Sequence, residues 1–177
     1  MAGDGLASLP ERLLDAFLES GLNMDPDFES WLTDHRKAIA SGWAHEWPVP
    51  EAVLERASRI AMQAFASDFI WPVSDAEALD VAHAVERLSA LAPDGALDAA
   101  ATCDVGLVLM YRSAGALPEP ARAALRRQAS DMPAVTTRLV ERVLGEPRRE
   151  RELAMSLPTL GHVQEATSRA VRAQYEQ

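Results

Sequence analysis

A single cysteine in 177 residues, Cys103, excludes an internal disulfide and any cysteine-rich metal cage, which suits a reducing compartment such as the cytoplasm. The N-terminus MAGDGLASLPERLL lacks the basic start and apolar run of a signal peptide. The apolar run Val105 to Tyr111 is far short of the roughly 20 apolar residues that a membrane span requires. Alternation of polar and apolar residues almost never lasts a strand's length, so little argues for a sheet. Also missing are a Gly-x-Ser-x-Gly elbow, a phosphate-cradling glycine loop and a His-Glu-x-x-His helix, so the enzyme classes with legible motifs have no support and no cofactor is expected.

What is present is helical punctuation. Glycines and prolines recur at helix-length intervals, and the expectation is a single all-α domain over residues 1–177, with 1–7 as a disordered tail. A chain of this size has no need of a staple, since about 150 residues already bury roughly 70% of their extended surface. Seven to nine short helices are expected. They run from about Pro10 to Ser20 after Ser8, Pro26 to Ser41 with Asp25 as cap and Gly42 as stop, Pro50 to Phe69, and Ser74 to Leu91. Further helices are expected at about 96–114, Glu119 to Ser130, and Pro133 to Leu144 before Gly145, then a short one in PRRERELAMSLP and a last one after Pro158. Two local signals stand out. SDAE at 74–77 is a capping box in which Ser74 and Glu77 each satisfy a free backbone amide. The helix at 96–114 has only Asp98, Asp104 and Arg112 as charges and no polar face, so it is expected at the centre of the bundle.

Charge is uneven. Residues 1–104 carry six basic against 19 acidic side chains, a net of −13, while residues 105–177 carry 11 against eight, a net of +3. Sixteen of the 17 basic residues are arginine, Lys37 being the exception. An acidic majority repels phosphate backbones and favours a basic partner.

Several constellations suggest function. In SGWAHEWPVP, residues 41–50, Trp43 and Trp47 sit where chain joins one helix to the next, flanked by Glu46 and Glu51, and aromatic rings with acidic neighbours suit a protein interface. The Trp-Pro-Val of 47–49 returns at 71–73 and reads chiefly as helix joinery. Asp104 inside the most apolar helix, with Tyr111 seven residues on and Trp71, is a candidate ligand pocket, unless an arginine from a neighbouring helix simply pairs with the acid. Residues 125–144, LRRQASDMPAVTTRLVERVL, resemble the helix-turn-helix of bacterial repressors. That resemblance implies DNA contacts from Arg126, Arg127, Thr136, Thr137 and Arg138, although Ser130 and Asp131 replace the small and apolar turn residues. The pairs Asp80/His83 and His162/Glu165 lack the glutamates of a di-iron set, so no metal site is expected. Cys103 reads as packing. The leading expectation is a non-catalytic cytoplasmic binding protein of inhibitor, immunity or adaptor type, with an acidic N-terminal surface for a protein partner. A ligand-binding or enzymatic bundle and a DNA-binding regulator are the alternatives.

Overall fold

Every regular element among the described residues is helical. These residues, in a computed structural model, are 10–21, 23, 25–43 and 49–157. The segments are α1 (Glu11–Ser20), α2 (Pro26–Trp43), α3 (Glu51–Ala66), α4 (Asp75–Ser89), α5 (Ala99–Tyr111), α6 (Glu119–Gln128), α7 (Ala134–Val140) and α8 (Glu146–Ser156). A π-turn, Glu141–Gly145, joins α7 to α8, so the described chain holds seven continuous helical runs. The all-α fold class is that expected. Ser8, the N-terminal tail, Glu46, Trp47 and the helix after Pro158 lie outside the described residues.

Local chemistry explains most ends. Asp25 accepts the amide of Asp27 at 2.9 Å and opens α2; Ser74 and Glu77 form the expected capping box on α4; Asp98 accepts the Ala101 amide at 2.8 Å and starts α5. Two expected stops do not operate. Gly42 lies inside α2, which continues to Trp43, and Gly145 lies in the π-turn, with open space around both positions. Glycine most often ends a helix by turning left-handed, and its presence alone does not force that turn. In a regular helix Pro147 would crowd the carbonyl of Val143, and the wide turn just before it relieves that contact.

Contacts divide the chain into two units, Met1–Pro147 and Arg148–Gln177. In the first, α3 packs against α1, α2, α5 and α7, and α5 packs against α2, α3 and α4. Nine of the 13 residues of α5 are buried. The described part of the second unit, 148–157, is helical through Ser156, exposes Leu153, Met155 and Leu157, and carries an Arg148–Glu152 ion pair at 2.8 Å.

The polar contacts of α1 fix it to α3 and α7. Gln63 Nε2 donates to the carbonyls of Leu18 at 2.9 Å and Gly21 at 2.7 Å, satisfying free groups at the end of α1. Arg56 meets Asp15 at 3.3 Å, Arg59 meets Glu19 at 3.0 Å, and Arg138 reaches the same Glu19 at 2.5 Å.

On α2, residues Phe28, Leu32, Arg36 and Ala40 fall four apart and all are buried. Arg36 is only 1% exposed. It donates to the Pro72 carbonyl at 2.5 Å and to Glu77 Oε1 at 3.4 Å, and its guanidinium lies 4.1 Å from the Tyr111 ring centre and 5.7 Å from that of Trp71. The Tyr111 hydroxyl donates to the same Glu77 oxygen at 2.8 Å. Desolvation pushes the Glu77 carboxyl up, but hydrogen bonds from the Ser74 side chain and amide and from Tyr111, with the charge of Arg36, outweigh it and hold the group below its usual range.

Arg36→Met should therefore lower stability by about 3–5 kcal/mol in urea melts, because Glu77 would remain buried without its cation. Adding Glu77→Gln should recover part of that loss. A carboxyl depressed in the folded state contributes stability above its unfolded value, near 4.5, and loses it as pH falls through the lower folded value. Melts of Glu77→Gln should accordingly decline less below pH 4.5 than those of the wild type.

Candidate functional site

Trp43 ends α2 half-buried against α5, and Gly106 makes the approach possible. A methyl group at Gly106 would meet Trp43 Cη2 at 2.9 Å and Cζ3 at 3.4 Å. The indole nitrogen of Trp43 is buried with no hydrogen-bond partner among the described residues.

The ring walls two clefts. The first, of about 380 Å³, lies between α2, α4 and α5 and is lined by Ala40, Trp43, Asp80, His83, Arg87, Ala100, Cys103, Asp104 and Leu107. The second, of about 390 Å³, lies where α2 meets the start of α3, with Ile39, Val49, Pro50 and Val53 among its apolar walls and His35 and Arg56 as polar ones. The first combines charge with apolar surface and is the candidate site.

Asp104 is in that cleft, but it is not a free acid. Arg87 grips it in two-pronged fashion, Nη2 to Oδ1 at 2.6 Å and Nε to Oδ2 at 2.9 Å. The hydrogen bond that Arg87 donates to Asp104 outweighs burial and, with the charges of Asp104, Asp80 and Glu86, raises the affinity of Arg87 for its proton. Pairing with a neighbouring helix's arginine is thus what Asp104 does. Cys103 shares the wall as a buried thiol pushed up to about 11 by burial and then by the Asp104 charge, so at neutral pH it is protonated.

Tyr111 and Trp71, expected beside Asp104, belong instead to the buried surroundings of Arg36. Tyr111 lies seven residues along α5 from Asp104, about 10 Å, and Trp71 comes from the connection before α4. No protein-family model, curated protein or solved structure matches the chain. The site rests on its own geometry.

Of the interface residues, Glu51 is exposed in the first turn of α3, while Trp43 is engaged with α5; Glu46 and Trp47 are outside the described residues. The DNA-contact residues are occupied. Thr136 is 6% exposed and shares a 3.0 Å hydrogen bond with Ser58 of α3, and Thr137 donates to the Ala129 carbonyl at 2.7 Å. Arg138 pairs with Glu19, Arg127 donates to the Gly95 carbonyl at 2.8 Å, and Arg126 meets Glu119 at 3.4 Å. On α7, Thr136 packs on α3, whereas Arg138 remains exposed beside Glu19. Asp80 and His83 are exposed on α4 and line the first cleft; His162 and Glu165 are not described.

Arg36 and its partners are what sequence reasoning missed. The signal was available in the four-residue spacing of Phe28, Leu32, Arg36 and Ala40, which places an arginine on an apolar line.

Gly106→Ala should force the Trp43 ring from its seat. The expected result is a shift in Trp emission together with a loss of about 1–3 kcal/mol, the usual cost of overpacking. Unchanged emission and melting would show that the ring has room to spare.

Proposed function

We propose that the protein is a non-catalytic binding protein that docks a basic protein partner on the acidic surface of α2, α4 and the connection between α3 and α4. The observation that carries this reading is the company kept by three exposed apolar side chains. Ile70 is 75% exposed, Leu79 is 56% and Val73 is 44%. Around them in sequence or on α2, the exposed acids Asp27, Asp34, Asp68 and Asp75 make no ion pair among the described residues.

The acids of α1 differ, since Glu11, Asp15 and Glu19 face arginines of the bundle itself. This narrows the acidic surface expected from composition to the part whose charge is left for a partner. An apolar centre with a charged rim is the usual anatomy of a protein interface, and charge of one sign steers the opposite sign toward it. The turn that presents Ile70 is strained. Asp68 and Phe69 adopt positive φ of 52° and 57°, a conformation costly for side chains of this kind and held only where surrounding structure enforces it. Inhibitors, immunity proteins and adaptors all work by such docking. A reducing cytoplasm fits the lone Cys103.

Affinity capture from the host lysate, followed by titration with the purified partner, tests the reading. Ile70→Asp and Asp75→Asn should each weaken binding, and rising salt should weaken it further, while Glu11→Gln leaves it unchanged. A partner held equally by all these variants, or one insensitive to salt, would sink the proposal.

A further inference from the structure

We infer that the cleft between α2, α4 and α5 is a ligand site for a compact organic cation, an ammonium or guanidinium group carried on an apolar or aromatic body. This site is distinct from the docking face around Ile70. Three features decide the sign, size and character of the ligand.

Sign follows from the charges on the wall. Asp80 and Asp104 supply two carboxylates to the wall and Arg87 one guanidinium. The guanidinium is already committed, bound through two hydrogen bonds to Asp104. An incoming anion would meet the carboxylate of Asp80, which makes no ion pair among the described residues, and would find the Arg87 guanidinium already taken. An incoming cation would meet that carboxylate directly.

Size follows from a volume of about 380 Å³, which suits a small ligand or a single side-chain-like group. Character follows from the rest of the wall, where Trp43, Leu107, Ala40 and Ala100 provide apolar contact. Tryptophan is the aromatic ring that attracts cations most strongly. The Trp43 ring is held in place against Gly106, so it does not have to be ordered when the ligand arrives. The protein already uses the same chemistry inside, where the Arg36 guanidinium sits between Tyr111, Trp71 and the Glu77 carboxylate.

A charge series on one body tests this with the full chain: phenethylamine, its neutral counterpart 2-phenylethanol and the anion 3-phenylpropionate, each titrated by calorimetry and followed at the indole N–H resonance of Trp43. Phenethylamine should bind saturably at one site, about tenfold tighter than the alcohol, with the anion weakest. Asp80→Asn, at an exposed position that leaves the fold intact, should weaken the amine by about fivefold and leave the alcohol unchanged. Ala100→Phe, which fills the cleft from an exposed position, should abolish amine binding without lowering the melting temperature. Equal affinity for all three probes, preference for the anion, no binding at millimolar amine, or amine binding unaffected by both variants would each overturn the assignment.

Discussion

Among the described residues Arg36 is the largest side chain to be fully buried, and its charge is met by one buried carboxylate, Glu77. Burying either ion alone costs several kcal/mol, so the two constrain each other and whatever carries them. Arg36 rides on α2, Glu77 on α4, Tyr111 ends α5, and the Pro72 carbonyl belongs to the connection before α4. Four pieces of chain therefore have to meet in one arrangement. Glu77 also caps its own helix through its other oxygen, which accepts from the Ser74 amide at 2.8 Å and hydroxyl at 2.6 Å. One carboxylate thus couples the start of α4 to the centre of the bundle.

That constraint organises the surfaces proposed for recognition. Trp71 is drawn inward over Arg36, while Ile70 and Val73 of the same connection are left exposed. With α2, α4 and α5 locked at Arg36, Trp43 further along α2 rests on Gly106 of α5, and a cleft remains where the three helices diverge. The proposed docking face and the proposed cation cleft both border helices that the buried Arg36–Glu77 pair holds together.

The opposite side of α3 is held by a different device. Glu19 gathers Arg59 and Arg138 on its carboxylate, and its carbonyl accepts from Arg142 at 3.3 Å. Single exposed ion pairs contribute little, but these are partly buried and share one acceptor, so they fix the seating of α1 on α3 and α7. The same contacts occupy arginines that read from the sequence as free for phosphate. Arg138 stays half-exposed beside Glu19, while Thr136 is buried against Ser58 of α3.

Helix positions were legible because their causes are local. The capping box at Ser74 and Glu77, the aspartates at 25 and 98 and the prolines at 26, 50 and 133 act on amides within three or four residues, and the observed ends fall near them. The absence of period-two alternation likewise determined the all-α class. Gly42 and Gly145 were misleading because a glycine permits a turn without requiring one. Pairing was decided only in three dimensions. Asp104 meets an arginine 17 positions away, Arg36 a glutamate 41 away and Arg138 a glutamate 119 away. Composition shows that acids outnumber bases in the first 104 residues, but which acids stay free depends on which helix faces are buried together, and burial is a property of the packed chain.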